Sequence, residues 1–156
     1  MLFPDEREVT VMPTLQNSIT IAAPIERVFH LACDIEHIPE WFVGASEFSH
    51  VNQADNMVGS TWDWNYRILG RRFKGQARLI ECDEPHRSAT EIEGDVAARF
   101  AWDYRPLEGK TLVESRVDYA VPMGFIGRLA DALWARRMFA RNLQGSLENL
   151  KQACEK

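Results

Sequence analysis

Few side chains in this sequence are placed to carry out acid–base chemistry. His37 and Glu40 lie three residues apart in a short predicted helix, and a histidine beside a carboxylate can transfer protons near neutral pH. Tyr66 and Tyr104 offer hydroxyls on predicted strands, where they could orient a carbonyl group, although an unassisted tyrosine is a poor base at neutral pH. Glu91 would join them only if a bulge or register shift turned it inward. These residues, except Glu40, are the candidate catalytic residues, and an exposed surface pair is the simpler interpretation of His37 with Glu40.

The spacing of the histidines and cysteines does not indicate a metal site, and no cofactor-binding motif is present. The remaining histidines lack the spacing of metal ligands and are His30, His50 and His86. The three cysteines are odd in number, widely separated and best interpreted as reduced thiols; they are Cys33, Cys82 and Cys154. There is no Ser-His-Asp order, glycine-rich phosphate loop or dinucleotide fingerprint. The sequence therefore predicts no metal and no cofactor.

The first third of the chain predicts one strand followed by two short helices. Residues 14–22 alternate between apolar and polar side chains, which is typical of a half-buried strand. Pro24 suits the first turn of a helix, because its missing N–H would have no partner there. Asp34 can cap a second short helix, which Pro39 interrupts and which ends near Trp41 and Phe42.

Period-two alternation follows from Glu47 to Val121. It predicts five or six strands joined by short turns, with charged residues on one face only, as in an antiparallel meander whose outer face meets water. Across residues 125–152, apolar residues recur at three-and-four spacing, which predicts one long amphipathic helix. The inward face of the strands carries nine large side chains: Trp62, Trp64, Tyr66, Phe73, Ile92, Phe100, Trp102, Tyr104 and Tyr119.

This order of elements resembles the START-like (SRPBCC) superfamily, the polyketide cyclase/dehydrase and lipid-transport group. The resemblance is carried by NSITIAAPIERVFHLACDIEHIPEWF (Asn17–Phe42), GSTWDWNYRILG (Gly59–Gly70) and the helix after VPMGFIG (Val121–Gly127). It implies the α+β helix-grip fold, in which a curved antiparallel sheet wraps around a long C-terminal helix, with two short helices between the first two strands. A single domain would cover residues 14–156, after a tail or edge element over residues 1–13. The resemblance also implies a hydrophobic cavity between sheet and helix.

Composition narrows the class of partner. The net charge of −5 argues against nucleic acid or an anionic membrane as the main partner. No run of about 18 apolar residues is present, so no membrane-spanning helix is expected. The charged N-terminal segment does not look like a secretory signal, and a cytoplasmic location is expected. The oligomeric state is left open.

Three hypotheses about function follow. The first is binding or transport of a small hydrophobic molecule, lipid-like, aromatic or polyketide-like, against the nine inward side chains, with Ile126, Leu129 and Leu133 closing the cavity from the helix. The second is an enzyme of the cyclase/dehydrase kind that uses the same cavity. The third is a protein-interaction module. Because the inward polar groups are mainly tyrosine hydroxyls, binding is favoured over catalysis, and a fully packed core without a cavity is the alternative to all ligand hypotheses.

Overall fold

The computed structural model describes the backbone of residues 10–11, 14–68, 70–122 and 129–156. The strands are β1 (Thr10–Val11), β2 (Thr14–Ile21), β3 (Ser49–Asn52), β4 (Thr61–Ile68), β5 (Arg71–Asp83), β6 (Arg87–Gly94), β7 (Ala97–Leu107) and β8 (Lys110–Pro122). The helices are α1 (Ile25–Ala32), a short 3-10 helix (Ile35–His37), α2 (Ile38–Trp41) and α3 (Leu129–Cys154).

Seven strands form one curved antiparallel sheet in the order β3-β4-β5-β6-β7-β8-β2. Strands β3 to β8 are consecutive neighbours, as the predicted meander requires, and β2 lies at the edge beside β8. In the N-terminal tail or edge element, Thr10 and Val11 form β1, which pairs with the end of β8. The short helices lie between β2 and β3, and α3 follows the last strand. The predicted helix-grip fold is confirmed.

The two faces of the sheet differ in polarity as the period-two pattern predicts. On β8, Val113, Ser115 and Val117 are buried on the inner face, whereas Glu114 and Arg116 between them are on the outer face. The outer face is crossed by ion pairs between neighbouring strands, including Arg99–Glu91 and Arg87–Asp103, each at 2.8 Å. Such exposed pairs contribute little stability, so the fold depends mainly on the inner face.

The largest buried cluster lies where α1 and the C-terminal half of α3 cover one end of the sheet. It contains Val28 and Phe29 from α1, Tyr104 from β7, and Leu147 and Leu150 from α3. Each large apolar side chain buried in this way stabilises the fold by about 1.5–3 kcal/mol. Apolar side chains therefore make up most of this end of the sheet.

Helix α3 also holds the segment that follows α2. The Asn149 side chain donates a hydrogen bond to the Trp41 carbonyl oxygen at 3.1 Å. The Val43 backbone N–H donates to the Ser146 hydroxyl oxygen at 2.9 Å. Since α2 has only four residues, these bonds from α3 fix where the intervening Phe42 lies.

Candidate ligand-binding site

Five partly buried aromatic rings meet between the inner face of the sheet and α3. This aromatic cluster consists of Phe42 after α2, Tyr66 on β4, Phe100 on β7, Tyr119 on β8 and Phe139 on α3. The ring centroid of Phe139 lies 5.7 Å from Tyr119, 6.4 Å from Tyr66 and 6.5 Å from Phe100. Phe42 lies 6.0 Å from both Tyr66 and Phe100. All five contacts are edge-to-face, the arrangement that aromatic rings prefer.

The rings of the aromatic cluster keep some exposed surface, which distinguishes them from the core. Trp62 and Trp64 are only 5% and 6% exposed, and Tyr104 is 1% exposed, whereas every member of the aromatic cluster is partly exposed. Exposed aromatic surface that converges from three strands, α3 and the residue after α2 is what a site for an apolar ligand provides.

The polar groups of the aromatic cluster are neutral and protonated. The Asn142 side-chain amide donates a hydrogen bond to the Tyr66 hydroxyl oxygen at 3.2 Å, which leaves the Tyr66 proton free to donate to a ligand. Burial raises the pKa of the Tyr66 hydroxyl above its usual value. Burial also raises the pKa of Tyr119, while the positive charge of Arg136 acts in the opposite direction. Both hydroxyls therefore act as hydrogen-bond donors, not as bases, at neutral pH.

The nine predicted wall residues separate into three groups. Tyr66, Phe100 and Tyr119 belong to the aromatic cluster. Phe73 and Ile92 are partly buried and pack against a second core group. The remaining four lie in the packed core: Trp62, Trp64, Trp102 and Tyr104. Of the predicted helix contributors, Ile126 lies outside the described residues, as do the side chains of Leu129 and Leu133.

The position of Trp64 shows why an inward-facing ring can belong to the core. Its register partner on β5 is Gly75, which has no side chain, so the indole lies across that strand. The Trp64 indole N–H donates to the Glu93 carbonyl oxygen on β6 at 3.3 Å. An ideal Cβ on Gly75 would stand 2.8 Å from the indole. Trp64 therefore covers a glycine in the sheet, and this is its structural role.

Of the four candidate catalytic residues, only Tyr66 faces the aromatic cluster. Glu91 is on the outer face, as the alternation predicts, and pairs with Arg99 at 2.8 Å. Since β6 and β7 keep regular register through this pair, the inward turn on which a catalytic role for Glu91 depended does not occur. Tyr104 is 1% exposed in the core, and burial raises its pKa well above the usual value. His37 is exposed and bonds the Asp34 carboxylate at 2.8 Å.

The contact between Asp34 and His37 changes two further predictions. Asp34 occupies the residue before the 3-10 helix, but its carboxylate makes no capping hydrogen bond and instead raises the pKa of His37. Glu40 contributes to that increase less than Asp34 does. His37 is therefore exposed, as the surface interpretation of the sequence expected, but its carboxylate partner is Asp34 and not Glu40.

Two residues of the site were missed at the level of sequence, namely Phe139 and Asn142. The signal was present, since Phe139, Asn142, Leu143 and Ser146 have the three-and-four spacing of one helical face. Asn142 and Ser146 are polar, so the apolar stripe alone did not reveal this face. Phe42 was predicted only as the end of a short helix.

The thiols are not activated. Burial raises the pKa of Cys33 from 9.0 to about 12, and that of Cys154 to about 11. A thiol with such a pKa stays protonated at neutral pH and is a poor nucleophile.

Within the described ranges, no three histidine, cysteine or carboxylate side chains are grouped as metal ligands. No helix in the described part of the chain is long and apolar enough to cross a membrane.

Solved structures share this fold at low sequence identity. A protein from Thermus thermophilus is 22% identical with a TM-score of 0.78, over 90% of this chain and 95% of its own. The ZhuI aromatase/cyclase from a Streptomyces species is 18% identical with a TM-score of 0.75, over 93% and 94%. A START superfamily protein from Mycobacterium smegmatis is 19% identical with a TM-score of 0.65, over 88% and 98%. No curated protein sequence matches the chain.

The sequence itself gives the family. The family described as polyketide cyclase / dehydrase and lipid transport matches residues 12–155, which include every strand from β2 to β8 and all of α3. Because the match extends over nearly the whole chain, the protein belongs to the polyketide cyclase / dehydrase and lipid transport family.

Proposed function

We propose that this protein binds a small hydrophobic molecule with an aromatic or similarly flat body, held between the inner face of the sheet and α3. The observation that carries the proposal is the aromatic cluster. Five rings, from three strands, α3 and the residue after α2, converge there and keep exposed surface, although the same fold buries six other aromatic residues almost completely. Covering such surface with an apolar ligand is favourable at about 25 cal/mol per Å².

The charge of the site favours a neutral ligand. Its hydrogen-bonding groups are the hydroxyls of Tyr66 and Tyr119 and the amide of Asn142, all uncharged at neutral pH. Arg136 is close enough to Tyr119 to influence its pKa, but Arg136 itself is exposed. A carboxylate ligand would therefore receive no buried cation from the described residues of the cluster, whereas a carbonyl or hydroxyl oxygen suits a tyrosine donor.

A second candidate function is a cyclase or dehydratase reaction in the same site. The family description and the aromatase/cyclase among the structural neighbours support it, together with one feature of this chain. The Tyr66 hydroxyl accepts from Asn142 and has its own proton available, so it could donate to a substrate carbonyl oxygen while negative charge develops there. No carboxylate or histidine joins Tyr66 in the described part of the cluster to act as a base, so we place this function second.

Replacing Tyr66 with phenylalanine separates the two functions. For a binder, the Kd of an aromatic probe with an oxygen at each end, such as 2,6-dihydroxynaphthalene, is expected to rise by less than about tenfold, because one hydrogen bond contributes about 0.5–1.5 kcal/mol. For an enzyme, turnover of an aromatic poly-β-carbonyl substrate should fall about 100-fold or more, with a much smaller change in binding. Titration calorimetry and a cyclisation assay on the same preparations measure both quantities.

Tyr104→Phe is the matched control for this experiment. It removes the same hydroxyl from the packed core, outside the aromatic cluster, so it should lower the melting temperature without changing probe affinity. A hundredfold loss of turnover in Tyr66→Phe, absent from Tyr104→Phe, would replace the binding function by the enzymatic one.

A further inference from the structure

Two buried polar atoms have no hydrogen-bond partner among the described residues. They are the indole nitrogen of Trp41 and the hydroxyl oxygen of Ser115. Trp41 is 4% exposed and Ser115 is 3% exposed, so neither atom is solvated from the surface. Folded proteins satisfy most buried polar groups, because leaving one unpaired is destabilising. The two atoms therefore indicate a site for a further polar group.

Both residues are immediate neighbours of Trp102. The Trp41 ring meets the Trp102 ring edge-on, with centroids 5.8 Å apart and an interplanar angle of 90°. Ser115 on β8 is the register partner of Trp102 on β7, so their side chains lie side by side on the inner face. The two unpaired atoms thus come from opposite layers, α2 and the sheet, to the same tryptophan.

A second serine beside Trp102 shows that the lack of a partner is specific to one side. Ser88 on β6 is the register partner of Trp102 on the other flank, and it is also buried. Its side chain interacts with the Cys33 thiol and the Tyr104 hydroxyl and acts to lower the pKa of both groups. The serine on the β6 side therefore has partners, whereas in the described part of the chain the Ser115 hydroxyl on the β8 side has none.

Trp41 and Ser115, the residues with the unpaired polar atoms, lie next to the aromatic cluster. Phe100 of the cluster and Trp102 are two residues apart on β7, which places them about 7 Å apart on the same face. Trp41 directly precedes Phe42, and their rings are 5.8 Å apart. A flat molecule that covers the rings of Phe42 and Phe100 can therefore bring one end to Trp41 and Ser115.

The geometry points to a polar subsite in which the Trp41 indole N–H and the Ser115 hydroxyl hold an uncharged oxygen, a carbonyl or hydroxyl, at the inner end of the ligand. The inference rests on the proposed binding function and narrows its ligand to neutral aromatic molecules that carry an oxygen at one end. The indole can only donate, so the ligand atom must accept. The buried polar residues of the described chain are serines and one threonine, without a buried cation, so a carboxylate would be poorly stabilised.

The test compares 1-naphthol with naphthalene, which differ only in the hydroxyl, by titration calorimetry on the full chain. We define the oxygen preference as the ratio of the two dissociation constants, naphthalene over 1-naphthol. This preference is expected to fall at least fivefold in Ser115→Ala and in Trp41→Phe. Ser88→Ala removes the hydroxyl on the other flank of Trp102 and is expected to leave the preference unchanged.

The outcomes separate the subsite from the binding function. If both probes bind but the preference is the same in the wild type, Ser115→Ala and Trp41→Phe, the two atoms hold only a buried water and the subsite is overturned while the binding function stands. If Ser88→Ala lowers the preference as much as the other variants, the effect is general loosening and the subsite is again overturned. If the wild-type protein binds neither probe, the proposed function fails, and the subsite with it.

Discussion

Replacing Phe139 with alanine is expected to weaken binding of an aromatic ligand such as 1-naphthol about 10- to 100-fold. Phe139 is the only member of the aromatic cluster on α3, and its ring contacts Tyr66, Phe100 and Tyr119. An aromatic contact contributes about 0.5–1.5 kcal/mol beyond the area it buries, and each 1.4 kcal/mol is a tenfold change in Kd. Phe139→Ala loses both the buried apolar area and the aromatic contact, so the two losses add. Titration calorimetry measures the change directly.

Phe48→Ala is the matched control for the Phe139 variant. Phe48 is also partly buried, and its ring stacks at 6.1 Å on Trp62, a core residue outside the aromatic cluster. Its removal should lower thermal stability and leave the Kd within about twofold of the wild type, since no ligand contact is lost. Equal affinity in the wild type and Phe139→Ala would contradict the assignment of the site.

Replacing Gly75 with alanine is expected to reduce the free energy of unfolding by about 3 kcal/mol or more, which is at the upper end of the cost of overpacking. An ideal Cβ at this position would lie 1.8 Å from the Glu93 carbonyl oxygen of β6 and 2.8 Å from the Trp64 ring. The first contact is with the backbone of a residue near the end of β6 that is paired with β5, so it cannot be relieved by a side-chain rotation. The strand must shift or the Trp64 indole must leave the Glu93 carbonyl. Urea denaturation gives the change in stability.

Gly145→Ala on α3 is the control for the Gly75 variant. There the new Cβ would meet only the Val43 side chain, at 3.4 Å, and alanine is the better helix former by about 1 kcal/mol. The control should therefore equal or exceed the wild type in stability. If Gly75→Ala unfolds at the same urea concentration as the wild type, the close approach of β5 and β6 is not as described.

The fold could be predicted because its signals are local. The alternation of β8, with Val113 and Val117 inward and Glu114 and Arg116 outward, determines the buried face of the strand. The helical period after residue 125 indicated the long helix, of which the structure describes Leu129–Cys154. Pro39 lies in the first turn of α2, where its missing N–H leaves no helical hydrogen bond unmade.

The depth of each residue along the inner face could not be predicted, because it depends on which helix crosses the sheet at that point. Phe100 and Trp102 are on the same face of the same strand. Trp102 is covered by Trp41 from α2 and is buried, whereas Phe100 lies beyond that cover and is partly exposed. Period-two alternation assigns Phe100 and Trp102 to the same face of the sheet, but it does not indicate where a helix crosses that face.

The hydrogen-bond partners of individual side chains also could not be predicted from the local sequence. His37 could pair with Asp34 or Glu40, both within one turn, and the 3-10 geometry brings Asp34 to 2.8 Å. Tyr66 and Asn142 are 76 positions apart, and their hydrogen bond exists only once α3 lies across β4. The position of α3 on the sheet therefore had to be known before the candidate residues could be assigned to the site or to the core.

Native mass spectrometry of the gently purified wild-type protein, followed by titration with neutral aromatic molecules and lipids, tests the central claim most directly. A one-to-one complex with a neutral molecule that carries an aromatic or similarly flat apolar body is predicted, either already bound or taken up from the titration, and Phe139→Ala should lose it. A mass equal to that of the bare chain under all these conditions would contradict a ligand site at the aromatic cluster. The space between sheet and helix would then be a packed core, and the protein-interaction hypothesis would take its place.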